Sequence, residues 1–226
     1  MYERFLKRVI DFIFSLVALI VLSPLMLALT ITGAAVMKGN PFFLQPRPGK
    51  NEKIFQLIKF RSMTNEKDKK KNLLSDEKRL TKYGKFLRAS SLDELPELVN
   101  ILKGDMSIVG PRPQLVKDMV FMTEEQRRRH SVRQGLTGLA QVNGRNNITW
   151  EQKMEFDLQY IDGGITFLKD MLIVFRTVGL VLKGSDTVRE GTVSDLDFGD
   201  WLMMEGKVDK VEYEEKQREA KELIGK

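Results

Sequence analysis

The chain lacks cysteine and has a single histidine, His130, among its 226 residues. The lack of cysteine excludes disulfides, thiolate metal sites and cysteine nucleophiles. A single histidine excludes a metal site built from several imidazoles. His130 follows three arginines, and in this basic run we expect a surface or polar-contact residue. Acid–base or nucleophilic chemistry therefore falls mainly to carboxylates.

Negative charge is the scarcer sign, since 31 Asp and Glu stand against 37 Lys and Arg, giving a net charge of +6. A basic surplus suits nucleic acid, anionic lipid or a phosphate-rich substrate equally well, and it does not specify a fold. The length is enough for one ordinary domain and a modest addition. The order of the charges along the chain must separate these three classes of partner.

One long stretch has no charge at all, residues 12–37. As a straight helix it would reach roughly 39 Å, more than a hydrocarbon core of roughly 30 Å. Ser23 and Pro24 lie at its middle, and each half alone is only roughly 18–20 Å long. Basic residues flank both ends, whereas a spanning helix usually shows asymmetry. A kinked single-pass helix and a re-entrant hairpin both fit, with a slight preference for the hairpin.

A second apolar stretch covers residues 167–183. Its basic residues Lys169, Arg176 and Lys183 recur every seven positions, so they form one thin stripe on a helix. Such a helix suits the membrane interface, but a core helix of a globular domain has a similar pattern. Both interpretations stay open at this point.

The remaining patterns predict a small mixed domain. They indicate strands at 42–45 and 54–60 joined by the loop 46–51, helices at 80–88, 90–102, 114–122 and 149–161, and a loop at 104–113. Thr149 and Gln152 have capping-box spacing at the start of the last helix. The charge-rich end, 205–226, predicts a solvated helix or a partner-binding tail.

The most informative stretch is Ser-Ser-Leu-Asp-Glu-Leu-Pro at 90–96. It places Asp93 and Glu94 at what reads as the first turn of a helix, with Ser91 and Glu94 at capping-box spacing. A helix N-terminus attracts phosphate as well as carboxylate. Taken alone, the two carboxylates would merely cap the helix.

Basic residues in rigid or glycine-rich settings surround this pair in the sequence: Lys59, Arg88, Arg112 and Arg145. Prolines flank Arg112 and fix its backbone, which lowers the entropic cost of holding an anion. The planar guanidinium binds two phosphate oxygens at once. If these side chains converge on the carboxylate pair, they form a phosphate-handling site.

The chain resembles the bacterial sugar transferases, that is, the monotopic phosphoglycosyl transferases, and especially their small PglC-type members. Five ordered motifs carry the resemblance, which runs from residue 1 to about 185: KFRSM at 59–63, SLDELP at 91–96, NxxKGDMS at 100–107, VGPRP at 109–113 and GLTGLAQVNGR at 135–145. The dipeptide Asp93-Glu94 alone would be a weak signal. The order of all five makes the resemblance specific.

The resemblance implies transfer of a sugar-1-phosphate from a UDP-sugar to polyprenyl (undecaprenyl) phosphate with release of UMP. Asp93 matches the nucleophile of a proposed ping-pong mechanism and a ligand of Mg²⁺, and Glu94 matches the second member of the catalytic pair. The matching substrate contacts are Lys59, Arg88, Pro111, Arg112, Gln141 and Arg145. The implied partners are the UDP-sugar, the polyprenyl phosphate and membrane lipids, without nucleic acid. A homodimer or a complex with pathway enzymes stays open.

For the fold, the resemblance implies that Ser23 and Pro24 break a re-entrant helix whose two ends stay cytoplasmic. We therefore expect a monotopic protein on the cytoplasmic face of the bacterial inner membrane. The predicted fold class is α+β and mainly helical. We expect a membrane helix-hairpin at 1–38 and a charged tail at 191–226. Between them, residues 39–190 should form a cytoplasmic domain of amphipathic helices with a short β-hairpin. The alternative is a membrane-anchored, non-catalytic scaffold that binds anionic lipid.

Overall fold

The computed structural model describes residues 1–144, 148–183 and 196–225. Its helices are α1 (Lys7–Met37), α2 (Asp76–Arg79), α3 (Lys82–Ala89), α4 (Glu97–Lys103), α5 (Val116–Met119), α6 (Glu124–Arg127), α7 (Leu139–Val142), α8 (Trp150–Asp162), α9 (Phe167–Leu182), α10 (Phe198–Met204) and α11 (Lys210–Gly225). Its strands are β1 (Phe42–Pro48), β2 (Ile54–Phe60), β3 (Met106–Val109) and β4 (Gln134–Thr137). The mainly helical α+β class is confirmed.

The helix α1 continues through Pro24 without interruption. Pro24 has no N–H for the carbonyl of Ile20, four residues earlier. The Ser23 hydroxyl donates to that same carbonyl over 2.7 Å, so the acceptor is satisfied. The structure therefore has one long apolar helix at the position where the sequence predicts a broken hairpin.

One face of α1 packs against the rest of the chain along its whole length. Asp11, Ser15, Leu29 and Gly33 are buried, and their spacing places them on a single face of the helix. Near one end the Asp11 carboxylate accepts from the Ile108 amide at 3.0 Å. Near the other end the Leu29 carbonyl accepts from the Tyr83 hydroxyl at 2.8 Å.

The opposite face of α1 is apolar and exposed, for example at Phe14, Ile20 and Val21. Among the described residues, Tyr2–Met37 is the one helical segment long and apolar enough to cross a membrane. By itself such a segment is weak support for membrane association. The packed inner face is the stronger constraint, because it ties both halves of the helix to the same domain.

The N-terminus of α1 is fixed by the buried carboxylate of Asp170 on α9. Its oxygens accept from the Tyr2 hydroxyl at 2.7 Å, the Lys7 ammonium at 2.5 Å and the Tyr160 hydroxyl at 2.8 Å. Asp170 is 1% exposed. A buried charge is tolerated only when it is paired and hydrogen-bonded, and here the partners come from three elements. This cluster holds α1, α8 and α9 together.

The outer face of α9 is as apolar and exposed as that of α1. Leu168, Phe175 and Leu182 are 78%, 72% and 82% exposed, whereas Asp170 and Ile173 are buried. A core helix would bury most of these side chains. The core-helix interpretation is therefore wrong for α9, and the exposed basic stripe runs along an amphipathic surface helix.

The predicted hairpin is confirmed, with β1 antiparallel to β2 and Phe42 opposite Phe60. Asn100 of α4 fixes this hairpin. Its side chain donates to the Gln56 carbonyl at 2.8 Å and accepts from the Ile58 amide at 3.0 Å. These two bonds set the position of β2 relative to the start of α4.

The strand β3 lies within the loop predicted at 104–113, and it pairs in parallel with β4. The pairing continues past the strands, because Gly110 donates to the Thr137 carbonyl at 2.9 Å and Gly135 donates to the Pro111 carbonyl at 2.8 Å. A Cβ on Gly135 would lie 2.2 Å from the Gly110 nitrogen. The close approach of the two chains therefore requires glycine here.

Three local predictions concern the second half of the chain: a capping box, the position of His130 and the C-terminal tail. The capping box of Thr149 and Gln152 is confirmed at the start of α8. A surface position for His130 is wrong, because the ring is 1% exposed and burial lowers its pKa to about 3. The solvated helix predicted within 205–226 is largely confirmed by α11, in which Ala220 is the one buried residue among those described and packs against α5. Upstream of this range, Phe198 is 2% exposed and also packs against the domain.

Replacement of Asp170 tests the cluster that anchors α1. Asp170→Asn keeps the size of the side chain but leaves the Lys7 ammonium buried beside a neutral amide. We expect the free energy of unfolding to fall by about 3 kcal/mol, as for other buried ion pairs that lose one partner. Glu151→Gln, which breaks an exposed ion pair with Lys207, is the matched control and should melt with the wild type. Equal thermal melting of the two variants in detergent would contradict the anchoring role.

Candidate functional site

Asp93 and Glu94 lie in a 3-10 turn, Leu92–Glu94, and the helix α4 starts only at Glu97. The capping box predicted for Ser91 and Glu94 is wrong. Ser91 has a left-handed backbone with φ of 55°, and its side chain caps nothing. The Glu94 carboxylate is instead drawn to basic side chains of two other elements.

The Glu94 carboxylate joins two basic residues that are distant in sequence. One of its oxygens accepts from the Lys59 ammonium at 2.9 Å and from the Arg112 guanidinium at 2.5 Å. Burial alone would raise the pKa of Glu94, but Arg112 and Lys59 hold it well below its usual range. In turn Glu94 raises the pKa of Arg112 further. All three groups are therefore charged at neutral pH.

Lys59 has a second acidic partner that the motif analysis does not identify. Glu97, at the start of α4, is 1% exposed and lies 3.1 Å from the Lys59 ammonium. Burial raises the pKa of Glu97 to about 7, against the opposing effect of Lys59. Near neutral pH this side chain is therefore a titrating group next to a fixed ion pair.

Two arginines, one buried and one half-buried, hold the backbone of the loop that carries Arg112. Arg129, 0% exposed, donates to the Arg112 carbonyl at 2.5 Å and to the Asp157 carboxylate at 2.7 Å. Arg47 donates to the Pro113 carbonyl at 3.1 Å. Neither arginine is predicted as a site residue. The flanking prolines of Arg47, the same arrangement as around Arg112, are the one sequence signal that could have identified it.

Asp93 differs from its neighbour in having no fixed partner. In the described part of the chain it makes no hydrogen bond or ion pair, although Lys59, Arg112 and Arg88 lie close enough to act on its charge. Burial raises the pKa of Asp93 above its ordinary value, while Lys59 lowers it. An unengaged, partly buried carboxylate among cations is suited to attack or to bind an incoming group.

The carboxylate pair lines a cavity of about 780 Å³, the main cavity. Its polar end contains four of the predicted substrate contacts: Lys59, Arg88, Arg112 and Gln141. Its apolar end lies between α1 and α9 and is formed by Ala18, Leu22, Val174, Val178 and Val181. One cavity thus joins a charged site to the two helices with exposed apolar faces.

One described predicted contact, Pro111, does not line this cavity. Pro111 is buried, and its carbonyl accepts from the Gly135 amide. Arg145 lies outside the described residues. Arg88, which reaches the cavity from α3, donates to the Ser62 hydroxyl at 3.0 Å.

A second cavity of about 230 Å³ adjoins the first. The two share Arg47, Lys59, Arg112 and Gln114 in their walls. The second cavity is otherwise lined by groups absent from the main one, among them Glu97, Asp118, Trp150, Leu196 and Asp197. The three shared basic residues therefore line two cavities that differ in the rest of their lining.

The site fits a Mg²⁺ ion bound together with a substrate. The described residues contain no group of three or more His, Cys, Asp or Glu side chains arranged to hold a metal. Mg²⁺ is commonly held by one or two carboxylates together with substrate phosphate oxygens, so no larger cluster is needed. Asp93 is the carboxylate that fits, because Glu94 is already engaged by Lys59 and Arg112.

Comparison with known proteins identifies consistent relatives. A model of the bacterial sugar transferase family matches residues 2–184. The uncharacterized sugar transferase EpsL of Bacillus subtilis is 50% identical over 178 residues, covering 78% of this chain and 87% of that protein. The UDP-glucose:undecaprenyl-phosphate glucose-1-phosphate transferase of Klebsiella pneumoniae is 41% identical over 182 residues, covering 76% of this chain but 39% of that protein.

A third relative has a different sugar in its name. The undecaprenyl-phosphate galactose phosphotransferase of Salmonella typhimurium is 36% identical over 202 residues, covering 80% of this chain and 41% of that protein. The chain thus spans most of the Bacillus protein and about two fifths of the two larger enzymes. Glucose and galactose in these names mean that the family match does not fix the sugar.

The raised pKa of Glu97 predicts a pH-dependent stability. Between its ordinary value of 4.5 and about 7, the folded protein keeps a proton that the unfolded chain has lost, so stability falls as pH rises through this window. Glu97→Gln should therefore lose less stability than the wild type between pH 5 and pH 7.5 in chemical unfolding. Glu205→Gln, at an exposed glutamate, should follow the wild type. Parallel curves for all three proteins would show that Glu97 does not titrate in this range.

Proposed function

Because the chain belongs to the bacterial sugar transferase family, we propose that it moves a sugar-1-phosphate from a UDP-sugar to polyprenyl phosphate and releases UMP. The family predicted from the five motifs is thereby confirmed. The names of the Klebsiella and Salmonella relatives support undecaprenyl phosphate as the acceptor. The proposed activity belongs to residues 2–184, the part of the chain that the family model matches.

The observation that carries the proposal is the composition of the main cavity. An acceptor with a phosphate head and a hydrocarbon tail needs a cationic site joined to an apolar surface. Lys59, Arg88 and Arg112 provide the charge, and the space between α1 and α9 provides the apolar surface. A water-soluble nucleotide alone would not require the apolar surface.

We propose that Asp93 is the nucleophile. Its carboxylate oxygen forms a bond to the β-phosphorus of the UDP-sugar, and the bond from that phosphorus to the bridging oxygen breaks, so UMP leaves. An oxygen of the lipid phosphate then attacks the same phosphorus and displaces the Asp93 carboxylate. Two steps allow a soluble donor and a lipid acceptor to use one site in turn. Mg²⁺, when bound at Asp93 and the diphosphate, would neutralise charge there.

Glu94 has a different task in this proposal. A carboxyl whose pKa is held far below neutrality is a weak base, so it is poorly suited to accept a proton. Its contacts instead fix the Lys59 ammonium and the Arg112 guanidinium beside Asp93. We propose that Glu94 positions these two cations, which stabilise charge on the transferring phosphoryl group.

We also propose a monotopic, re-entrant arrangement on the cytoplasmic face of the inner membrane, in which the continuous helix α1 would bend at Ser23 and Pro24 without a break in its backbone. The support is that α1 packs on one domain from Asp11 to Gly33, which would bring both of its ends to the same side. Its exposed face and that of α9 would then enter the lipid. The basic stripe of α9, Lys169, Arg176 and Lys183, would lie at the anionic headgroups.

The reaction is tested by UMP release from full-length protein in nanodiscs containing undecaprenyl phosphate and Mg²⁺, with a panel of UDP-sugars. We expect lipid-dependent UMP release from at least one donor. Asp93→Asn should lower the rate to background, because an amide is a poor nucleophile. Asp162→Asn, at an exposed carboxylate lining neither cavity, is the matched control and should retain the wild-type rate.

Two outcomes would count against this assignment. A folded wild-type protein that releases no UMP from any donor would favour the non-catalytic scaffold. Turnover by Asp93→Asn at the wild-type rate would remove the covalent step from Asp93.

Without lipid, the covalent mechanism predicts a burst of about one UMP per chain and a matching rise in protein mass in the wild type alone.

The topology is tested with single cysteines, because the chain has none of its own. Glu3→Cys and Lys38→Cys place one thiol beyond each end of the apolar segment, at exposed positions. In intact spheroplasts an impermeant maleimide should label neither thiol, and after lysis it should label both. Labelling of either thiol in intact cells would show a spanning helix instead.

A further inference from the structure

The chain continues beyond the family match, and this continuation reaches the site. The match ends at residue 184, yet Leu196 and Asp197 form part of the wall of the second cavity. The same cavity is lined by Lys59 and Arg112, the two cations held by Glu94. A segment outside the family match therefore lines a small cavity together with two cations of the proposed reaction centre.

The backbone of this segment is fixed where it meets the cavity. The Phe198 amide donates to the buried carboxylate of Asp118 at 2.9 Å, and the Leu196 carbonyl accepts from the Trp150 indole at 3.0 Å. Asp197 forms an ion pair with Lys117. Asp118 also accepts from the Leu115 amide at 3.1 Å, so α5 and the segment share one acceptor.

Apolar contacts hold the rest of the segment in place. The Phe198 ring is 2% exposed and lies 5.1 Å from the Trp150 ring, centre to centre. On α11, Ala220 is buried against Val116 and Met119 of α5. The wall of the second cavity is therefore built on a packed interface rather than on a loosely attached tail.

The second cavity has the chemistry of a site for a hydroxyl-rich ring. Carboxylates of Glu97, Asp118 and Asp197 line it and can accept hydrogen bonds from hydroxyl groups. The Nε of Arg47, another lining residue, is buried without a hydrogen-bond partner among the described residues, so a donor is available as well. A volume of about 230 Å³ suits one ring and not a whole nucleotide sugar.

We infer that residues 196–225 are part of the donor site, and that Asp197 accepts a hydrogen bond from a hydroxyl of a donor ring bound in the second cavity. The inference rests on the proposed function. The diphosphate would lie at the shared cations Lys59 and Arg112, with one ring in the second cavity. Ribose and the transferred sugar both offer such hydroxyls, so the test must distinguish them.

The test measures equilibrium binding to full-length protein in nanodiscs, in an Asp93→Asn background so that donor consumption does not disturb the titration. The ligands are UMP and the UDP-hexose or UDP-N-acetylhexosamine that binds most tightly. Asp197→Asn should weaken binding of the UDP-sugar about fivefold, since the hydrogen bond to a charged acceptor becomes a weaker bond to a neutral amide oxygen. If UMP binding weakens equally, the ring is ribose; if UMP binding is unchanged, the ring is the transferred sugar.

Two controls separate a ligand contact from a loosened segment. Asp200→Asn removes the same charge from α10, where Asp200 accepts from Tyr213 and lines neither cavity. Lys117→Gln breaks the ion pair but keeps the Asp197 carboxylate. Both should bind the ligands as the parent does. Unchanged binding by Asp197→Asn, or an equal loss in Lys117→Gln, would overturn the inference. Failure of UMP release by the wild type would instead overturn the proposed reaction.

Discussion

One shared carboxylate holds the site together. Glu94 accepts from Lys59 on β2 and from Arg112 in the loop after β3, so a single side chain ties three separate segments. Two like charges could not be held side by side in a partly buried place without a negative group between them. Glu94 supplies that group and leaves Asp93, its neighbour in the same turn, without a fixed partner. The difference between the two carboxylates is therefore one of surroundings and not of residue type.

The backbone around this carboxylate is held by polar side chains, two of them buried and one half-buried. Asn100 sets β2 against α4, and Arg129 and Arg47 hold the carbonyls on either side of the Arg112–Pro113 bond. Fixed donors and acceptors of this kind reduce the reorganisation needed when charge moves during a reaction. Asn100 and Arg129 line neither cavity and act on the backbone, whereas Arg47 holds the backbone and also lines both cavities.

A second constraint comes from the two apolar surface helices. Both α1 and α9 bury a narrow polar or mixed face and expose a broad apolar one, and Asp170 joins their N-terminal ends through Lys7 and Tyr2. Exposed apolar area of this extent is unfavourable in water, so it indicates a lipid or protein partner. Because residues of both helices line the main cavity, this cavity contains both charged and apolar walls.

Local sequence determined much of this protein. The hairpin, the capping box at Thr149, the long apolar segment, the mainly helical class and the family follow from patterns within a few residues or from ordered motifs. Convergence of Lys59, Arg88, Arg112 and Gln141 on Asp93 and Glu94 was expected from those motifs, and the main cavity contains all of them.

Tertiary structure decided the rest, because the deciding partners are distant in sequence. Ser91 and Glu94 have capping-box spacing, yet the Glu94 carboxylate binds Lys59 and Arg112 instead, and the helix starts only at Glu97. Nothing in the sequence distinguishes Arg129 from the two arginines before it. Its burial depends on its contacts with Asp157 and the Arg112 carbonyl. The charged C-terminal end gives no sign of a core contact until Phe198 meets Asp118 and Trp150. Spacing specifies local geometry, whereas a buried charge or ring takes its place from partners that only the folded chain brings near.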